Sequence, residues 1–348
     1  TGGGDVSGNY YTIYNGWKVN VKGGFHKSES VSALADDNAD KDGAKNKSVA
    51  INVEKPLNDH WTFTANTFGR NTFALLDGHS SGQQVGYEGD NNLFAQQLGF
   101  NRITKDEKSF VTFHTHAYDR EYTSPGEEMD NYRSNAYTFR AEHQRQHSDR
   151  MSWGVGTEFK NDTAEFQNRG SYSSSVDADY NTTALYGNLG YNFSSDLVGS
   201  VHLRTDNNSV VGKNDSLKVG LQKNNLLPKL NLRTTYSIGH KAPSLYELFG
   251  ADNWGYQGNS NLKAEQSRSL ELAADYKLDT NSMLTVSVFE SNISNLIEYG
   301  NNTYVNGTGT TNQSGLELSY SNITEDQSFR FFATSLSSEK SDGSAQLR

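Results

Sequence analysis

The chain has 348 residues, no cysteine, four prolines and a formal net charge of −10. The missing cysteines exclude a disulfide framework, thiolate metal sites and a cysteine nucleophile. The negative balance, with no basic stripe to collect phosphates, argues against nucleic acid as a partner. Only 34% of residues are hydrophobic, yet there are 19 Tyr, 17 Phe and 4 Trp. Disordered chains lack aromatics, so this polarity calls for a folded architecture wetted on both sides. A barrel with a water-filled lumen is one, because only its outer band must be apolar.

The dominant pattern is period two. In chain order, apolar residues alternate with polar ones at Trp17/Val19/Val21, Val49/Ile51/Val53, Val111/Phe113, Leu185/Leu189/Tyr191, Leu217/Val219/Leu221, Leu270/Leu272/Ala274/Tyr276 and Leu316/Leu318/Tyr320. The connections alternate too. Short ones are expected at 57–60, 104–108, 148–150, 194–196, 224–227, 279–282 and 322–327. Long polar ones are expected at 28–47, 73–92, 122–133, 162–181, 206–214, 240–265 and 299–310. Short turns at one end and long loops at the other describe an outer-membrane barrel. The pattern predicts about 15 or 16 strands, mostly of roughly 10 residues, the length that crosses a bilayer at a tilt. Trp61 and Phe63 after one short turn, and Tyr191 and Phe193 before another, suit an aromatic girdle. The fold class is therefore all-β, a transmembrane antiparallel β-barrel. Its last strand, about 328–337, runs outward, whereas such barrels have an even number of strands with both ends periplasmic. We therefore expect residues 1–348 to be one partial barrel domain.

Residues 236–250 and 258–271 are the most specific stretch. Lys241, Ala242, Pro243, Leu245, Glu247 and Gly250, then Asn259, Glu265, Ser267 and Glu271, resemble the late-barrel hallmark of TonB-dependent outer-membrane receptors. Pro243 should end a strand, and Leu245, Leu248 and Phe249 should pack a loop base. Glu265 and Glu271 should lie where lumenal Arg or Lys can pair with them. These residues are expected to maintain architecture, not to touch ligand. Arg204–Ser209 with Gly212, Trp153–Glu158, and Asn292–Tyr299 with Asn312–Glu317 resemble further family elements.

The resemblance implies a 22-stranded barrel in the intact family, here without its N-terminal plug and C-terminal strands. It implies a Gram-negative outer-membrane receptor that binds a scarce ligand outside and imports it by coupling to TonB. Other expected partners are outer-membrane lipid and lipopolysaccharide, and the receptor is expected to be a monomer without an organic cofactor. The moderate loops and the short return at 278–284 are most similar to cobalamin receptors. Those also bind calcium, for which Asp36, Asp37, Asp40, Asp42, Asn71 and Asp77 are the candidates. Hard oxygens converging from two loops suit that ion. Tyr87, Tyr172, Tyr180, Trp254 and Tyr256 lie in loops where aromatics can stack on a ligand. The alternatives are a ferric-siderophore or haem receptor, a passive porin, and a small outer-membrane enzyme. For the last, no catalytic cluster is found in the sequence.

Overall fold

The computed structural model describes residues 2–29, 42–76, 87–126, 129–168 and 173–341. In chain order the strands are β1 (Gly3–Tyr14), β2 (Trp17–Glu29), β3 (Gly43–Pro56), β4 (Trp61–Leu76), β5 (Tyr87–Ile103), β6 (Glu107–Thr123), β7 (Asp130–Ser148), β8 (Met151–Asn168) and β9 (Ser174–Asn192). Next come β10 (Leu197–Asn208), β11 (Gly212–Leu227), β12 (Leu230–Lys241), a short helix α1 (Leu245–Phe249) and β13 (Ala251–Asp252). The last are β14 (Glu265–Lys277), β15 (Ser282–Ser294), β16 (Ile297–Gly300), β17 (Thr303–Asn306), β18 (Thr310–Ile323) and β19 (Ser328–Lys340). Sixteen of these strands have twelve residues or more, matching the number read from period two. β13, β16 and β17 are short pieces inside connections.

The chain divides into two compact units: residues 1–142, 158–182 and 244–260, and residues 143–157, 183–243 and 261–348. In the first, β1 to β6 form an antiparallel meander in which each strand pairs with the next. β1 turns into β2 through Asn15 and Gly16 at φ 48° and 76°. Two successive positive φ values are what a two-residue hairpin turn needs. In the second, β10–β11–β12–β14–β15–β18–β19 form a second antiparallel run.

Register sorts the side chains into rows that explain the composition. In the first unit Val19, Val53, Ala65, Leu98 and Phe113 form one row. The adjacent row on the opposite face is Asn20, Asn52, Asn66, Gln97 and His114. In the second unit Leu221, Thr234, Leu272, Val288 and Leu316 align on one face. Gln222, Arg233, Ala273, Ser287 and Glu317 align on the other. It is the apolar rows that are exposed: Phe100 is 45%, Leu270 54% and Leu316 46% accessible. A continuous exposed apolar face is untenable in water and suits hydrocarbon. No described helix is long and apolar enough to cross a membrane. Near the short connections Phe63 packs 6.2 Å from Trp17 and 5.3 Å from Phe100, and Tyr191 lies 5.0 Å from Phe193. This is the arrangement expected of a girdle.

Two expectations change. The strands run 12 to 19 residues instead of about 10, because the ladder continues where apolar alternation has stopped. Pairing persists there through rows such as Asn71–Asn92–Asp119, and the loops shorten accordingly. Residues 224–227, expected as a turn, belong to β11, whose register shifts there. The turn itself is Pro228 and Lys229, with Lys229 at φ 70°.

The most specific sequence stretch forms the connection after β12. In the first unit Ser244 caps α1. Its hydroxyl accepts the Glu247 N–H at 3.2 Å, and the Glu247 carboxylate accepts the Ser244 N–H at 2.6 Å. This reciprocal box satisfies two otherwise orphaned donors. Leu245 and Leu248 are buried as expected, whereas Phe249 is 38% exposed and packs no loop base. The N–H of Asn259 returns to the carbonyl of Glu247 at 2.9 Å, and that of Gly258 to the carbonyl of Gly250 at 2.7 Å. A Cβ on Gly258 would lie 2.6 Å from the Leu248 carbonyl carbon and the Phe249 nitrogen, and one on Gly250 would meet the Tyr246 ring.

Pro243, fully buried, follows β12. In the second unit Glu265, also buried, accepts the Lys241 ammonium at 3.5 Å and the Ile297 N–H at 3.0 Å. Ser267 lies opposite Gly239, with Ala242 just past the ladder's end. Glu271 corrects its expectation: it accepts the Ser287 hydroxyl at 3.4 Å, and no Arg or Lys pairs with it among the described residues. The aligned residues on the neighbouring strands, Thr235 and Phe289, carry no charge, and Ser287 stands on the diagonal, so no cation lies beside it.

Two outcomes follow from this packing. Leu272→Arg on the exposed apolar face should destabilise the folded chain in phospholipid vesicles by about 2–4 kcal/mol, read from urea unfolding. Ser237→Arg on the opposite face should not. Gly258→Ala should cost about 1–3 kcal/mol, because the clash is with backbone. It should also speed proteolytic nicking of the connection at 242–264.

Candidate functional site

A continuous arrangement of aromatic side chains in the first unit lies at the long-connection ends of β5 to β8. Tyr87, at the start of β5, meets Tyr122, near the end of β6, with ring centres 6.0 Å apart. The Arg120 guanidinium, two residues before Tyr122 on the same face, sits 5.9 Å from that ring. It also lies 6.0 Å from the ring of Tyr132 on β7. Tyr132 stacks on Phe166 of β8 at 5.1 Å and 19°. Phe166 meets Tyr246 of α1 at 5.5 Å, and Tyr246 stacks on Tyr256 at 4.9 Å. Six rings and one cation thus form an unbroken series.

The period-two rule puts them together. Tyr87 shares its face of β5 with Gly89 and Asn91, which stand opposite Tyr122 and Arg120 on β6. On that face Tyr118 donates its hydroxyl to Asn91 at 2.8 Å. Cation–π and ring–ring contacts of this kind contribute about 0.5–1.5 kcal/mol each beyond their buried area. The series therefore holds its own geometry before any ligand arrives. It offers flat apolar faces beside one exposed positive charge, a surface able to stack on a large conjugated solute.

Of the candidates read from the sequence, Tyr87 is part of the series. Tyr256 is too, but only as its buried end, 4% exposed and donating its hydroxyl to the Tyr246 carbonyl at 2.8 Å. That corrects its reading as a ligand contact. Trp254 is 65% exposed on the same connection. Its backbone N–H donates to the Asp252 carboxylate at 2.8 Å. Tyr180 is partly buried on β9. Tyr172, Asp36, Asp37, Asp40 and Asp77 lie outside the described residues. Asp42 and Asn71 are not brought together: Asn71 stands opposite Lys47, five residues along from Asp42, or about 16 Å. The Asn71 amide instead donates to Asp90 at 2.6 Å and Asn92 at 2.9 Å. Among the described residues no three His, Asp or Glu side chains group as metal ligands.

Sequence reasoning missed Arg120, Tyr122, Tyr132 and Phe166. Each falls in or beside a stretch read as a long loop, where strand periodicity was not applied. Extending the alternation of β6 and β7 by a few residues would have placed the first three on one face.

Comparison with known proteins agrees with this architecture. Residues 2–346 match the family described as TonB dependent receptor-like, beta-barrel. The chain is 25% identical over 265 residues to the vitamin B12 transporter BtuB of Photobacterium profundum, covering 75% of this chain and 41% of that one. The siderophore receptor PirA from Pseudomonas aeruginosa superposes with a TM-score of 0.75 at 15% identity, covering 97% of this chain and 62% of that structure. The closed form of the ferric-catecholate import receptor Fiu from E. coli superposes with a TM-score of 0.76 at 14% identity, covering 99% and 66%. The chain thus spans about two fifths of the transporter and about two thirds or less of the solved receptors. Exposed apolar rows, alternating short and long connections and a match over nearly every residue lead to one assignment: the chain belongs to the TonB-dependent receptor β-barrel family of Gram-negative outer-membrane proteins.

Proposed function

We propose that this barrel serves active import of cobalamin, the ligand meeting the ring series at the extracellular end and energy reaching the receptor through TonB. The observation that carries the reading is the series Tyr87–Tyr122–Arg120–Tyr132–Phe166–Tyr246. A corrin is large, flat and largely uncharged, so stacking area should dominate its affinity. The vitamin B12 transporter that aligns with three quarters of the chain supports the same ligand. Family membership supports receptor and transport chemistry. The acid-rich stretch with Asp36, Asp37, Asp40 and Asp42 supplies the oxygen donors calcium takes. We include that ion in the proposal without Asn71, which pairs with Lys47 about 16 Å along the ladder from Asp42.

One observation favours a second reading. Arg120 is exposed between two tyrosines, and a cation beside aromatic faces suits an anionic ferric catecholate as well as a corrin.

Cyanocobalamin binding to the full receptor in detergent, with calcium or with a chelator, separates the two. Tight binding, about tenfold weaker in Tyr132→Ala and within twofold of wild type in Arg120→Gln, is the expected result. Weakening on chelation would support the aspartate stretch. Absence of cyanocobalamin binding by a folded receptor, with ferric catecholate binding lost in Arg120→Gln, would establish the second reading instead.

A further inference from the structure

On the polar face of β1 to β6 the charges do not balance. Register places five cations there, Lys18, Lys22, Arg70, Lys108 and Arg120, against two carboxylates, Asp5 and Glu54. The whole chain, by contrast, carries 31 Lys and Arg against 41 Asp and Glu. Both carboxylates of this face are already matched. Asp5 Oδ1 lies 2.5 Å from His26 Nδ1, and Glu54 accepts the Lys18 ammonium at 2.6 Å. Lys22, Arg70, Lys108 and Arg120 are exposed and have no carboxylate partner among the described residues. Their neighbours across the ladder supply none: Asn9 and Ala50 flank Lys22, Ser48 and Leu93 flank Arg70, and Asn91 stands beside Arg120.

Three of these cations are evenly spaced. From Arg120 on β6, two strands across and two residues toward the short turns lead to Arg70 on β4. The same step leads from Arg70 to Lys22 on β2. Each step is about 12 Å between Cα atoms, so the three descend the wall as a stair. Little stands over it between Arg70 and Lys22, where the aligned residues of β3 are Ser48 and Ala50. Below Lys22 the stair ends, first in the amide of Asn20 and then in the closed pair of Lys18 with Glu54. A wet surface lined by one sign of charge concentrates solutes of the other.

We propose that this stair is an oxyanion track along the lumen wall. A phosphate, carboxylate or catecholate group on an entering solute is drawn to Arg120 at the ring series, then passes to Arg70 and to Lys22. The two guanidiniums can hold an oxyanion by paired donors, whereas the ammonium holds it as a point charge. The grip therefore loosens in the direction of import. The track rests on the import reading but not on which ligand is imported, since cobalamin carries a phosphodiester and a ferric catecholate carries phenolate oxygens.

Thiol chemistry in the full receptor tests the track without any cargo. The chain has no cysteine, so Ser48→Cys, on the ladder between Gly24 and Arg70, gives it one reporting thiol. The probes are an anionic and a cationic methanethiosulfonate, and the unsubstituted receptor is the control. Their rate ratio cancels changes in the thiol's own reactivity. At low salt the anionic reagent should be favoured about tenfold over its ratio on a free thiol, and Lys22→Gln/Arg70→Gln should return the ratio to the free-thiol value. No preference, no reaction with either reagent, or a preference that survives the double variant would each overturn the track. In cells the double variant should slow cyanocobalamin uptake at unchanged affinity and leave cobinamide, which lacks the phosphodiester, at the wild-type rate. In a receptor that takes ferric catecholate instead, that uptake should fall in the same way. Wild-type uptake of every solute bound also overturns the track. Failure to bind cyanocobalamin removes only the corrin reading, and the thiol ratio still decides the track.

Discussion

Everything in this structure depends on the requirement that backbone N–H and C=O groups be paired wherever water is absent. In hydrocarbon each unpaired group costs several kcal/mol, and the cheapest general answer is an antiparallel ladder in which every residue is paired across. The chain's low apolar content follows from that answer. Once the backbone is satisfied by its neighbours, only every second side chain has to be apolar. The face carrying Asn20, Asn52, Asn66 and Gln97 is then free to be as polar as water demands.

The same ladder carries on beyond the apolar rows, and this is what builds the ring series. β5 to β9 are 17 to 19 residues long, well past what a bilayer needs. The surplus raises Tyr87, Tyr122, Tyr132 and Phe166 on paired strands instead of flexible loops. The capped turn at Ser244 then holds Tyr246 against Phe166. Side chains set on regular structure are placed more precisely than side chains set on loops. The most specific sequence stretch thus closes a connection and also fixes the last rings of the series.

Much of the fold could be read from the sequence, because lipid imposes strict alternation. Val49/Ile51/Val53 and Leu270/Leu272/Ala274 were plain, and so was the alternation of short and long connections. The upper strand segments were hidden because both of their faces meet water there, so rows such as Asn71–Asn92–Asp119 carry no periodic contrast. For the same reason Tyr122 and Tyr132 passed as loop residues. The turn at Pro228 was misplaced because Asn224 and Asn225 offer the chemistry of a turn, while the ladder absorbs them through a register shift. Glu271 was assigned a cation because carboxylates on a polar face usually find one. Only the register shows that Thr235 and Phe289 are its neighbours.

Asn20, Asn52, Asn66 and Gln97 carry no charge, and each bond such a group makes contributes only about 0.5–1.5 kcal/mol net against water. Under the proposed import, a solute moving along this row would trade one weak bond for another, the first fixed charge pair of that face, Lys18 with Glu54, standing one row nearer the short turns.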